Sequence, residues 1–436
     1  MKFRSRRPKE FYYDEEEPEK RVWFPGTVSH ARRRRGNPLR SFLAALAVLL
    51  GAGFLLLLVI SLLQSADARA AGAGTLQSVA EERIPSPAEQ AGVMPAGSGG
   101  ESAEAGETAE QPEAGQVSGR QPASEHLSFS GGRYVLTETA APDLVTFAFA
   151  GDILFDDRYA AAASVNQRGG DIASAFDEAS LAVMRTADVF CVNNEFPYSD
   201  RGTPTEGKAY TFRAKPGRVS WLLDMGVDVA ALANNHAYDY GEEAFLDTLD
   251  VLDGAGILRV GGGQNLEEAS APCIFEVNGY TIALLNATQI ERLDFPDTRG
   301  AGETTPGVFR CFDDTRLLAA IRDADSRADF VIVLIHWGTE STHETDWLQT
   351  SRVGAMEEAG ADLVVGAHPH VLQGIAYSGD MPVIYSLGNY FFSSFTTDTG
   401  ILQATFQPSA GKLVQLRFVP MLQENCRVTA LSGAEK

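Results

Sequence analysis

Seven histidines are present in 436 residues, and four of them stand directly behind apolar runs of strand length. Residues 330–335 (Phe-Val-Ile-Val-Leu-Ile) break into His336-Trp337-Gly338, and residues 362–367 (Asp-Leu-Val-Val-Gly-Ala) break into His368-Pro369-His370. Residues 228–233 end on Asn234-Asn235-His236 in the same way. Two carboxylates repeat the pattern, Asp152 after 144–150 and Glu195 after 188–192. An apolar run that stops on an imidazole or a carboxylate sets a metal-type ligand at a sheet edge.

These groups form a mixed nitrogen and oxygen set. It suits Zn, Mn or Fe better than an oxygen-only cage for Ca or Mg. The donors outnumber the four of one tetrahedral site, so a pair of cations sharing a carboxylate would use them. Two cations about 4 Å apart lower the pKa of a bound water and clamp both oxygens of an in-line displacement at phosphorus. A histidine beside them can protonate the leaving group. Taken singly, each group has a plainer reading: Gly151-Asp152 a turn, Asn234-Asn235 a loop, His336 a satisfied structural histidine. The case for a site is that five strand ends carry such groups in one order.

Positioning them takes alternating strands and helices. Strand-like runs cover 144–150, 188–192, 210–213, 228–233, 273–277, 280–286, 330–335 and 362–367, and then 371–376, 382–385, 401–406 and 413–419. Helical spacing covers 172–185, 216–225, 242–252, 313–327 and 346–358. Pro216 opens the second of these and Gly226 stops it. Asn278-Gly279 is a hairpin turn. The pattern predicts an α/β domain with mixed sheets and helices on the outer faces. Ligands in such folds bind at the carboxyl ends of the strands.

The chain is uneven in composition. Residues 41–64 carry no charge and have the length of one transmembrane helix. Arg32 to Arg35 and Arg40 precede it, which sets the N-terminus in the cytoplasm and the rest outside; the run is longer than the apolar core of a cleaved signal peptide. The expected division is a basic cytoplasmic segment over 1–40, the transmembrane helix over 41–64, a disordered Ala/Gly/Glu/Ser/Pro-rich linker over 65–142, and a globular domain over 143–436. That domain holds 20 Lys/Arg against 41 Asp/Glu, a formal charge of −21. Such a field excludes nucleic acid as a partner and resists any polyanion unless cations offset it locally. Cys191, Cys273, Cys311 and Cys426 show no CxxC spacing, and read as small buried residues or at most two disulfides.

The order Gly-Asp, Asn-x-Glu, Asn-Asn-His, His-Trp-Gly-x-Glu, Gly-x-His-Pro-His and Tyr-Ser-Leu-Gly-Asn is found here at 151–152, 193–195, 234–241, 336–340, 366–370 and 385–389. It resembles the CapA family of poly-γ-glutamate capsule biosynthesis proteins over about 144–392. That family looks like a branch of the calcineurin-like metallophosphoesterases, whose fold is a β-sandwich flanked by helices, and its members are anchored outside the cytoplasmic membrane. The resemblance implies a divalent transition metal, Mn, Zn or Fe. It makes Asp152 and His370 ligands of metal one, and Asn235, His336 and His368 ligands of metal two. Glu195 bridges the two, and His236 is the leaving-group acid. Two departures stand out. Leu154 occupies the histidine position of the superfamily's Asp-x-His, so one tight ion and a second, weaker one are expected, with Asp156 as a substitute ligand. Ser341 replaces a tyrosine. Arg158 is expected to bind an anionic group, Asp239 and Glu340 to orient imidazoles or to be plain surface carboxylates, and Asn389 to support the site or the substrate.

Three functions compete. The first is a metal-dependent hydrolase of the cell envelope, acting on a phosphoester or an amide-linked anionic polymer in capsule or poly-γ-glutamate biosynthesis or export. Its partners would be the membrane, the capsule polymer and polymer synthase subunits. The second is a non-catalytic component that holds polymer in the same pocket, which Leu154 favours. The third is a secreted nucleotide phosphodiesterase. The capsule role rests on resemblance alone.

Overall fold

The computed structural model describes residues 122–291 and 298–432. Its strands, in chain order, are β1 (Leu127–Ser130), β2 (Arg133–Leu136), β3 (Val145–Ile153), β4 (Val189–Asn194), β5 (Val229–Ala231), β6 (Leu258–Val260), β7 (Gly262–Gly263), β8 (Cys273–Val277) and β9 (Tyr280–Thr288). They continue with β10 (Gly307–Val308), β11 (Phe330–His336), β12 (Leu363–Ala367), β13 (Ile375–Ser378), β14 (Met381–Ile384), β15 (Asn389–Phe391), β16 (Thr397–Gln407), β17 (Lys412–Glu424) and β18 (Arg427–Ala430). The α-helices are α1 (Ala160–Gln167), α2 (Glu178–Arg185), α3 (Val219–Met225), α4 (Gly241–Ala255), α5 (Leu266–Ser270), α6 (Thr315–Arg327) and α7 (Trp347–Ala359).

The strands build two eight-stranded sheets and a two-stranded one of β7 and β10. One runs β1-β2-β8-β9-β11-β12-β14-β13, the other β18-β17-β16-β3-β4-β5-β6 with β15 beside β3. In each, the central strands are parallel: β9, β11, β12 and β14 in the first, β3 to β6 in the second. Successive side chains point to opposite faces of a strand, and the burial follows that period. Phe147, Phe149, Ile282, Leu284, Ile332 and Leu334 share one apolar core between the sheets. The residues beside them, Ala283, Leu285, Val331, Val333 and Ile335, pack outward against Leu317 and Ile321 of α6 and Met356 of α7. On the other sheet Ala148, Phe190, Val192 and Ala230 pack outward against Ala161 and Val165 of α1, Met184 of α2, Leu222 of α3 and Leu249 of α4. The result is a mixed α/β sandwich with helices on both outer faces, which is why these strands read as continuous apolar runs.

Several expectations are refined. The helix expected over 172–185 is a 3₁₀ turn (Ile172–Ala175) followed by α2, because Asp177 caps a new helix by accepting from Ser180 N at 2.8 Å. Residues 210–213 form no strand; their backbone is tied to carboxylates, Phe212 N to Asp239 and Arg213 N to Asp156. Only the end of 371–376 is a strand, since β13 begins at Ile375. The hairpin holds, with Asn278 at φ 52° and Gly279 at φ 80°, the two positive φ angles of a type I′ turn. All four cysteines are free and buried, so the disulfide alternative is not realised.

The expected boundary at 143 is corrected. Residues 122–142 are part of the folded unit: β2 pairs in parallel with β8, and Leu127, Tyr134 and Leu136 are buried in the inter-sheet core. Ala123 N donates to Gly256 O at 2.8 Å, and His126 Nε2 contacts Asp188 O at 2.8 Å. Two four-residue strands joined by Gly131-Gly132 are too short to stand out from a polar linker by periodicity. The remainder of the expected linker, the 41–64 helix and the basic segment lie outside the described residues. Among the described residues no helix is long and apolar enough to cross a membrane.

Candidate metal centre

The parallel strands deliver their carboxyl ends to one place. Asp152 is the penultimate residue of β3, past an irregularity in its pairing with β4, and Glu195 follows β4 directly. Asn235 and His236 lie in the loop after β5, His336 closes β11, and His368 and His370 follow β12. Asn389 opens β15 opposite Asp152. That close crossing needs Gly151, where an added Cβ would sit 1.9 Å from Gly388 O. His368 and His370 have φ of 101° and 59° on either side of Pro369. Left-handed backbone at non-glycine residues costs on the order of 1–3 kcal/mol each, and here it turns both rings toward the carboxylates.

Glu195 is the centre of the cluster. It is fully buried, and its Oε1 lies 3.5 Å from His336 Nε2 and 4.0 Å from the Nε2 atoms of His236 and His370. Asp152 Oδ2 lies 3.1 Å from His370 Nδ1, which also contacts Asn389 Oδ1 at 2.8 Å. His336 Nε2 contacts Asn235 Oδ1 at 2.8 Å. Donor atoms fall into two overlapping triads, Asp152-Glu195-His336 and Glu195-His368-His370. Glu195 is shared by both, while the histidines group differently from the division the family resemblance implies.

Three polar atoms of this cluster are not satisfied by the described residues. Asp152 Oδ2, Glu195 Oε1 and His368 Nδ1 are buried without a hydrogen-bond partner among the described residues; the His370–Asp152 contact is close but not aligned as a hydrogen bond. A buried carboxylate oxygen left without a donor is costly. Burial, and then the charge of Asp152, push the Glu195 carboxyl well above its ordinary range. Burial, and then the neighbouring imidazoles, push His336 and His368 well below theirs, so both rings are neutral with lone pairs to give. Against burial, Glu195 and Asp152 raise His370 to about 10. The residues fit a divalent cation.

His236 stands beside this cluster in a different setting. Its Nδ1 contacts Asp239 Oδ2 at 2.6 Å, and its ring stacks on Phe212 with centroids 4.1 Å apart. Asp239 is fully buried, takes the Phe212 N–H at 2.6 Å, and pairs with Lys208 Nζ at 2.6 Å; Lys208 also donates to Asn235 O. Burial lowers the His236 pKa, with Asp239 opposing. Only Nε2, the nitrogen toward Glu195, is left for a substrate.

The other expected residues are placed as follows. Asn389 contacts His370, and Asp239 orients His236. Glu340 is 60% exposed at the rim, 4.0 Å from His368 Nε2, too far to orient it by a hydrogen bond. Asp156 is no substitute ligand: its oxygens accept from the Arg158 guanidinium at 2.6 to 3.1 Å and from two backbone N–H groups. Leu154 lies in the apolar core on the helix side and offers no donor. Sequence reasoning missed three supports. Asn193 donates to Asp152 Oδ1 at 2.7 Å and lies 3.3 Å from His336 Nδ1; its place in Asn-x-Glu was the available signal. Lys208 and Phe212 sit in a loop without periodicity, and nothing in the sequence marked them.

Residues 146–394, more than half of the chain, match the family of the bacterial capsule synthesis protein PGA_cap. The chain belongs to this family. The PGA_cap match begins with β3 and ends just past β15, so it encloses every residue of the metal cluster. The PGA biosynthesis protein CapA of Bacillus subtilis is 33% identical over 264 residues, covering 60% of this chain and 67% of that protein. The capsule biosynthesis protein CapA of Bacillus anthracis is 31% identical over 51% of this chain, which spans about half, 54%, of that relative's length. A phosphatase from Mycoplasma pneumoniae aligns at TM-score 0.40 and 16% identity, over 65% of this chain and 95% of that one. That level of likeness says nothing of the PGA_cap site.

Proposed function

We propose that this PGA_cap protein is a metal-dependent hydrolase of the cell envelope that serves capsule or poly-γ-glutamate biosynthesis or export. The observation that carries the reading is Glu195 Oε1, buried without a donor among three imidazole nitrogens. Asp152, Glu195, Asn235, His336, His368 and His370 would hold the cation, Mn, Zn or Fe. When bound, it would supply an activated water and a Lewis acid. His236 would protonate the leaving group through Nε2, because Asp239 engages Nδ1. The names of the Bacillus relatives support the polymer context. The uncharged 41–64 run supports a single anchor with the domain outside, and synthase subunits and polymer as partners.

A specific observation favours a second reading, a non-catalytic polymer holder: Leu154 is buried in the core where the wider superfamily has a histidine, so one side of the pair is short of a donor. Hydrolysis of a generic phosphodiester, bis(p-nitrophenyl) phosphate, by the purified chain with added Mn or Zn separates the two. The hydrolase reading expects turnover that His236→Ala lowers by about 10²–10⁴-fold while metal content stays. No turnover, or equal turnover by the variant, replaces it with the holder. Protease added to intact spheroplasts should degrade the domain; full protection would refute the external topology.

A further inference from the structure

The loop 201–218 reverses the charge balance of the domain. It carries Arg201, Lys208, Arg213, Lys215 and Arg218 against Glu206 alone. Most of these cations are matched: Arg201 by Asp247, Lys208 by Asp239, and Lys215 and Arg218 by Asp157 at 3.0 and 2.7 Å. Arg213 is the exception. Among the described residues its guanidinium meets no carboxylate; it donates to Arg201 O at 3.0 Å and lies 4.1 Å over the Tyr240 ring. The Arg158 guanidinium lies 5.6 Å from the centre of the same ring, 52% exposed and forked onto Asp156. Two guanidiniums and one carboxylate on a single aromatic ring leave one positive charge over.

The chain joins this ring to the chemistry within a few residues. Tyr240 follows Asp239 directly and is four residues past His236, and Arg213 follows Phe212, whose ring stacks on His236. A guanidinium held over an aromatic face and tied by one N–H to Arg201 O keeps its remaining N–H groups to bind an oxyanion with little entropy left to lose. The net charge of a domain this acidic repels a polycarboxylate. An excess of one charge matches a carboxylate monoanion better than a phosphate dianion.

We propose that Arg213 and Arg158, seated on Tyr240, form a carboxylate-binding subsite beside the metal centre, which takes a free carboxylate of an anionic polymer and feeds the neighbouring linkage to the site. The inference rests on the polymer reading above and assigns the residues that would select for it.

The test is calorimetric titration of the full-length, Mn-loaded protein with a synthetic linear oligomer of γ-linked glutamate, and in parallel with a linear polyphosphate. Arg213→Gln should weaken oligomer binding about tenfold or more, the size of a charged hydrogen bond, without changing metal content. Arg213→Lys, which keeps charge but not the fork, should fall between, and it decides the matter should the Gln variant not fold. Oligomer binding unchanged in the variants, with the wild type binding well, overturns the subsite and leaves the polymer reading standing. No oligomer binding by the wild type overturns both. Weakened polyphosphate binding with oligomer binding intact overturns the carboxylate assignment.

Discussion

His236 Nδ1 lies 2.6 Å from Asp239 Oδ2, and that same carboxylate holds the backbone of Phe212, the ring against which His236 stacks. One buried aspartate therefore fixes both the tilt and the tautomer of the imidazole, with Lys208 balancing its charge. Asp239→Ala removes the buried carboxylate that pairs with Lys208 and holds His236 and the Phe212 N–H. It should destabilise the domain by about 3–5 kcal/mol, read as a lower urea midpoint at unchanged slope. Asp239→Asn should keep the fold and lose about 10–100-fold in any hydrolysis. An unchanged midpoint in Asp239→Ala would show that the pair is not formed.

The setting of His236 also gives hydrolysis a pH dependence. Burial is the largest influence and draws the ring below its ordinary 6.5 although Asp239 pulls the other way. A leaving-group acid must carry its proton. At saturating metal, kcat should fall as pH rises through a value below 6.5, and His236→Ala should lack that limb. A kcat that stays level from about pH 5 to 8 would remove His236 from the role.

The start of the folded unit is a third point of test. A chain beginning at residue 122 should melt like the full-length protein. One beginning at 143 loses Leu127, Tyr134 and Leu136 from the core and bares the edge of β8. Three buried side chains correspond to about 4–9 kcal/mol. Equal thermal midpoints for the two truncations would show that β1 and β2 are ornamental.

Much of the site was legible because the fold writes it at strand ends. Continuous apolar runs over 330–335 and 362–367 announced β11 and β12, and the polar residue that ends each run is the one the sheet delivers to the centre. Helix boundaries set by local chemistry, such as Gly226 ending α3, were legible too. Lys208, Phe212 and Asn193 were not. Their roles come from tertiary contacts across 31, 24 and 41 residues of sequence, which no local period encodes. Glu340 and Asp156 show the mirror image: residue type suggested a role at the cation, while Glu340 is exposed at the rim and Asp156 is committed to Arg158. β1 and β2 were hidden by length.

A cation at Glu195 is tested most directly by elemental analysis of the purified chain. Protein prepared without chelator and dialysed against metal-free buffer should retain one tightly held Mn, Zn or Fe per chain, with a second ion bound only at added metal. Glu195→Gln, which removes the shared carboxylate, should lose both, and His368→Ala should lose the tight one. Folded wild-type protein that holds no metal, even after incubation with Mn and Zn, would contradict the metal centre and the hydrolase built on it.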